Sequence, residues 1–122
     1  MLVVVAEDDP DVTFLLESLL ADLGHDVSST RTGADALAVC RERRPDILLL
    51  DRRMPGELDG IGVVREIRAD PCLADLPVVL LTARAGADQV EAGLAAGANA
   101  YLVKPFAMRE LTSLLTSLTS SA

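Results

Sequence analysis

The sequence predicts an α/β protein, a doubly wound five-stranded parallel sheet with helices on both faces. Two features carry that prediction. Short unbroken aliphatic runs, clearest in Leu2–Ala6 and Ile47–Leu50, have the length and composition of strands buried on both faces. Between such runs lie stretches with apolar residues every three or four positions, the period of an amphipathic helix. Five rounds of that alternation imply right-handed crossovers and a parallel sheet.

Leu2 to Ala6 makes strand one. Asp9-Pro10 opens the first helix, with Asp9 as N-cap and Pro10 at the first helical position. Its stripe of Val12, Leu15, Leu16, Leu19, Leu20 and Leu23 is expected to face the core until Gly24 stops it. Asp26 to Thr30 is a weaker second strand. Thr32 and Asp35 give a capping pattern for a second helix that stops before Pro45. Strand three follows and ends in Asp51. A loop through Asp59 leads to a third helix with Val63, Val64 and Ile67 on one face, closed by Asp70-Pro71. Pro77 introduces strand four, Val78 to Leu81, with Thr82 at its end. An alanine-rich helix from about Gly86 to Ala96 carries Val90 and Leu94. Asn99 to Val103 makes strand five, ended by Lys104-Pro105, and the last helix sets Leu111, Leu114, Leu115 and Leu118 on one side. Residues 1–118 form one domain and 119–122 a short polar tail.

At 122 residues the chain is long enough to bury a core, which must be aliphatic because aromatics are only 2% of it. A net charge of −8 argues against direct nucleic-acid binding, which needs a basic stripe. No apolar run reaches membrane-spanning length and the start lacks a signal-like pattern, so a cytoplasmic protein without membrane contact is the expectation. Cys40 and Cys72 lack metal-type spacing and lie in helix-like contexts, as reduced packing residues. His25 is expected to be a solvated loop histidine.

The polar residues gather at one edge. Strand one ends in Glu7-Asp8-Asp9, strand three in Asp51, strand four in Thr82 and strand five in Lys104. In a parallel sheet these carboxyl ends share a rim, the usual place for a ligand. Clustered carboxylates repel unless protonated or bridged by a cation, and hard oxygen ligands select Mg²⁺ or Ca²⁺. An octahedral Mg²⁺ needs few protein carboxylates and shares phosphate oxygens readily. A carboxylate such as Asp51 is then placed to attack phosphorus, while an ammonium and a hydroxyl stabilise the phosphoryl oxygens. Taken singly, Asp9 is a helix cap, Thr82 a cap and Lys104 a solvated charge. Their joint placement at four strand ends favours a site.

The chain resembles a response-regulator receiver domain of two-component signalling, over essentially its whole length. The likeness rests on Glu7-Asp8, Asp51 followed by Met54-Pro55-Gly56 and Asp59-Gly60, Thr82-Ala83, and Lys104-Pro105-Phe106. It implies the flavodoxin-like strand order 2-1-3-4-5. It also implies that Asp51 accepts a phosphoryl group from a sensor histidine kinase or phosphotransfer protein. Glu7 (through water), Asp8, Asp51 and the backbone carbonyl of Arg53 would hold Mg²⁺. Thr82 and Lys104 would bind the phosphoryl oxygens, and Lys104-Pro105 would be cis. The domain would catalyse both transfer to and hydrolysis from its own aspartate. Thr82 moving inward and Tyr101 turning from exposed to buried would switch the surface of helix four, strand five and helix five for an unknown output protein or domain.

Departures from the family pattern sharpen the expectation. Asn99-Ala100 precede Tyr101 where acids are usual, and Glu110-Leu111-Thr112-Ser113-Leu114 lacks the usual arginine. A monomer, or a weak phosphorylation-dependent dimer, is therefore expected. The chain ends directly after the last helix, as either a stand-alone regulator or a receiver from a longer protein. Arg52 and Arg53 follow the acceptor and Arg84 lies two past Thr82; Arg53 and Arg84 are candidates for lengthening the phosphoryl lifetime by flanking the path of the attacking water.

Three rival readings fit less well. A flavodoxin-type cofactor protein needs a hydroxyl- and glycine-rich loop after strand one, where this chain has carboxylates. An aspartyl-phosphate phosphatase needs an acid two residues after the nucleophile, where Arg53 stands. A receiver-like module that is never phosphorylated has no need of the repelling cluster.

Overall fold

The structure, a computed structural model, describes residues 1–83 and 87–119, with side chains except those of residues 87–90. Arg84, and the side chain of Val90, lie outside the described residues. Elements alternate as β1 (Leu2–Ala6), α1 (Pro10–Asp22), β2 (Asp26–Thr30), α2 (Gly33–Arg43), β3 (Ile47–Asp51), α3 (Gly60–Ala69), β4 (Val78–Thr82), α4 (Ala87–Ala96), β5 (Ala100–Val103) and α5 (Met108–Thr119). All strand pairs are parallel, and the sheet order is β2-β1-β3-β4-β5.

Alternation along each strand divides the core in two. Val4, Ala6, Leu48, Leu50, Val78 and Leu80 pack with Leu37, Val64 and Ile67 of α2 and α3. Val3, Val5, Ile47, Leu49, Val79 and Leu81 point the other way, to Leu16 and Leu20 of α1 and Leu111 and Leu115 of α5. Both faces of the sheet are therefore covered, which is why β1, β3 and β4 are apolar without interruption.

The caps follow the residue chemistry. The Asp9 carboxylate accepts from the Asp11 N–H, the Thr32 hydroxyl from Asp35 and the Asp59 carboxylate from Gly62, each satisfying a donor that the first helical turn leaves unpaired.

Several expectations need correction. Leu15 and Leu23 stand 48% and 38% exposed, so the buried stripe of α1 is narrower than the spacing suggests, and Leu94 is also exposed. Cys40 is buried, but Cys72 is exposed in the turn after α3, because Pro71 has already ended that helix. His25 is half-buried. Asn99 falls just before β5 and is not part of the strand. Its carboxamide oxygen accepts from Val78 N–H at 2.9 Å and from Arg68 Nη2 at 2.7 Å. Arg68 also donates to the carbonyls of Ala74, Leu76 and Gly97, fastening α3 to the turns that open β4 and β5. α5 runs to Thr119, one residue into the segment read as a tail.

Two glycines let the β3–α3 loop seat closely. A Cβ on Gly60 would lie 2.6 Å from the Asp51 carbonyl oxygen and 2.7 Å from Arg52 Cα. One on Gly33, at the start of α2, would lie 2.2 Å from the Leu58 carbonyl oxygen and 2.8 Å from Val63 Cγ2. Helix propensity alone favours alanine at position 33 by up to about 1 kcal/mol. Backbone cannot yield as a flexible side chain does, so Gly33→Ala is expected to destabilise the fold, by roughly 1–3 kcal/mol as in other overpacked sites. Denaturant unfolding checks the sign, and a stabilised variant would contradict the close approach.

Candidate functional site

Register brings the strand ends level. Ala6 pairs with Leu50, Leu50 with Leu80 and Leu80 with Tyr101, so Glu7, Asp51, Thr82 and Lys104 emerge on one rim. Main-chain bonds hold them there. The Glu7 N–H donates to the Thr30 carbonyl, Arg52 N–H to Leu81, and Lys104 N–H to Thr82 at 2.7 Å. The Lys104-Pro105 peptide is cis, as the resemblance implied.

One cleft on this rim is lined by Glu7, Asp8, Asp9, Asp51, Arg52, Arg53, Thr82, Ala83 and Lys104. The predicted acceptor, metal-side acids, hydroxyl and ammonium are thus brought together. Glu7 and Asp51 are buried and Asp8 is exposed, with carboxylate oxygens within 4.8 Å of one another. Lys104 Nζ lies 2.7 Å from Glu7 Oε2 and 3.2 Å from Asp51 Oδ2. Glu7 Oε1 accepts from the Asp9 N–H at 3.2 Å, and Asp51 Oδ1 from the Arg53 N–H at 3.1 Å. Asp9 therefore both caps α1 and borders the cleft.

Burial pushes the Glu7 carboxyl up to about 7 from its ordinary 4.5, the Lys104 hydrogen bond opposing and the neighbouring Asp51 adding to the rise. Burial alone would lower the Lys104 ammonium, but its hydrogen bond to Glu7 and the charge of Asp51 prevail and raise it. The Lys104 ammonium pairs with two carboxylates, Glu7 and Asp51, and Asp8 lies beside them. An all-oxygen donor set of that kind fits a hard divalent cation such as Mg²⁺.

Glu7, expected beside the metal, lies with Asp8 and Asp51 in the acidic cluster. It is only 1% exposed and is also the nearest partner of Lys104, a pairing that sequence reasoning did not anticipate. Tyr101 is not in the cleft. It is half-buried and borders a second cavity, beneath α4, together with Thr82, Leu80, Gly93, Leu94, Ala98, Ala100 and Arg52.

Residues 3–116 match the family model described as the response regulator receiver domain. The chain belongs to that family. The transcriptional regulatory protein PrrA of Mycobacterium leprae is 47% identical over 111 residues, covering 91% of this chain and 46% of PrrA. The chain thus spans about half the length of the curated relatives it matches. A putative response regulator from Chloroflexus aurantiacus superposes with a TM-score of 0.93 at 32% identity, over 98% of both chains. The receiver domain of the sensor histidine kinase PA1611 from Pseudomonas aeruginosa superposes at 0.91 with 36% identity, over 98% of both chains, and holds a magnesium ion in its active-site cleft. This receiver domain therefore has the two-component architecture that its motifs imply. Among the described residues, no helix is long and apolar enough to cross a membrane.

Because Glu7 titrates near 7 in the folded domain and near 4.5 when unfolded, the folded state holds its proton more tightly. Its favourable contribution is present below the unfolded value and is lost as pH rises through the folded one. In metal-free buffer, Glu7→Gln should match the parent at about pH 4 and exceed its Tm by roughly 3–6 °C at about pH 8. Thermal scans at both pH values test this, and a pH-independent offset would contradict it.

Proposed function

We propose that this receiver domain is a phosphorylation switch whose acceptor is Asp51. The observation that carries the reading is the Lys104 ammonium held between Glu7 and Asp51, beside Asp8, at the carboxyl edge of the sheet. Such a rim repels itself in the apo state and gains when a cation and a phosphoryl group arrive together.

Asp8, Asp51 and the Arg53 carbonyl would hold Mg²⁺, with Glu7 assisting through water. When bound, Mg²⁺ supplies positive charge against the phosphoryl oxygens. An oxygen of Asp51 attacks phosphorus in a phosphohistidine of a sensor kinase or phosphotransfer protein. The new bond is Oδ–P, the P–N bond breaks, and the imidazole leaves with the electron pair. Lys104 shifts its ammonium from Glu7 towards a phosphoryl oxygen, offsetting charge as it develops. Thr82 donates its hydroxyl to a second oxygen. The same residues later admit water, which cleaves the acyl phosphate and restores the carboxylate, so the domain limits its own signal.

Tyr101 and α4, β5 and α5 form the output surface, repacking when the phosphoryl group favours one of two arrangements. The partner on that surface is a further protein or an output domain, a reading supported by the transcriptional regulatory relative PrrA, of which this chain matches 46%. The charged dimer contacts are weakened, since Asn99 is engaged with Arg68 inside the molecule. We assign residues 1–118 to the receiver unit and its location to the cytoplasm, where Mg²⁺ and phosphodonors are available.

Incubation with Mg²⁺ and acetyl phosphate, followed by intact mass, should show one added phosphoryl group in the parent and none in Asp51→Asn. No gain in the parent, from either acetyl phosphate or a cognate kinase, would sink the reading. Arg53→Ala and Arg84→Ala should each hasten loss of the phosphoryl group, about tenfold for every 1.4 kcal/mol of contact removed. Decay rates equal to the parent's would remove both arginines from the lifetime role.

A further inference from the structure

α2 carries none of the residues that line the acidic cleft, yet its first turn touches the loop that does. The β3–α3 loop, residues 52–59, brings Arg53 to the cleft. The Arg53 N–H donates to Asp51 Oδ1 at 3.1 Å, while Lys104 engages Oδ2 at 3.2 Å. The position of the loop therefore governs one of the two oxygens of the acceptor.

Contacts along its whole length hold that loop. At its start the Arg52 carbonyl accepts from the Gly60 N–H at 3.0 Å. In its middle Met54 is buried in the core shared with α2 and α3. At its end Leu58 is partly buried against the same core. Leu58 directly precedes Asp59, the N-cap of α3, and stands five positions before Val63. That is the spacing of a hydrophobic staple, which sets the angle at which a chain enters its helix. Gly33 lies against both residues. A Cβ there would be 2.2 Å from the Leu58 carbonyl oxygen, 3.2 Å from its carbonyl carbon and 2.8 Å from Val63 Cγ2. To restore even a 3.0 Å contact with the oxygen, the Leu58 backbone would have to retreat by roughly 0.8 Å. The first turn of α2 is itself held, because the Thr32 hydroxyl caps it by accepting from the Asp35 N–H.

We infer that Gly33 and Leu58 form a positioning seat for the metal site: the bare first turn of α2 lets the β3–α3 loop settle far enough to lay Arg53 against Asp51. This rests on Asp8, Asp51 and the Arg53 carbonyl holding Mg²⁺. Gly33 and Leu58 do not line the cleft, so both are positioning residues that act through the loop. Contacts that orient a metal ligand from outside, when lost, cost typically about 10–100-fold in metal affinity. The seat thus ties metal affinity to a helix that offers the metal no ligand.

Calorimetric titration of Mg²⁺ into the apo domain, beside thermal scans of the same samples, separates position from stability. Gly33→Ala should weaken Mg²⁺ binding by roughly tenfold or more. Leu58→Ala frees the same end of the loop without overpacking and should weaken binding as well. It decides the matter should Gly33→Ala fail to fold. Cys40→Gly removes a buried thiol and lowers helix propensity about 10 Å along α2 from Gly33. Its Tm should fall while its Mg²⁺ affinity stays at the parent value. Unchanged affinity in Gly33→Ala and Leu58→Ala, or an equal loss in Cys40→Gly, would overturn the seat alone. A parent that binds no Mg²⁺ would overturn the metal reading, and the seat with it.

Discussion

Lys104 bridges two carboxylates that face each other across the end of the sheet. Its ammonium is 2.7 Å from Glu7 and 3.2 Å from Asp51, and the remaining negative charge is spread over Asp8 and the mouth of the cleft. Burial is the main reason that the Glu7 carboxyl is raised to about 7, with Lys104 opposing and Asp51 adding to the rise. A cation or a proton at this rim would offset the carboxylate charge that Lys104 leaves.

The fold exists to hold that rim in place. β1 and β3 are buried on both faces, so their ends have little freedom, and the register of the parallel sheet sets Glu7 beside Asp51 and Thr82 beside Val103. Gly33 and Gly60 allow the β3–α3 loop to lie against α2 and the Asp51 carbonyl, which brings Arg53 over the acids. At the opposite edge Arg68 and Asn99 fasten the turns that open β4 and β5.

Much of this was legible in the residues. Continuous aliphatic runs mark β1, β3 and β4 because parallel strands bury both faces, and Asp9, Thr32 and Asp59 mark helix starts because a side-chain oxygen there satisfies an otherwise unpaired N–H. The strand order came only from family resemblance, since hydrophobic pattern does not encode which strands are neighbours. Leu15 and Leu23 fit the helical stripe yet stand exposed, because the stripe is wider than the groove that receives it, and the groove is a tertiary feature. The Glu7–Lys104 pair spans 97 positions in the chain, and the Arg68 fastening depends on carbonyls of loops with no motif. Long-range pairs of this kind follow from register, which becomes visible only when the sheet is assembled.

The central claim is that the strand ends create an excess of carboxylate oxygen that a hard cation relieves. Calorimetric titration of Mg²⁺ into the apo domain near neutral pH addresses it most directly. The account predicts saturable binding at a single site, stronger as pH rises through the Glu7 value of about 7, and abolished by Asp8→Asn or Asp51→Asn. Binding that is absent in the parent, or that persists unchanged in both variants, would contradict it.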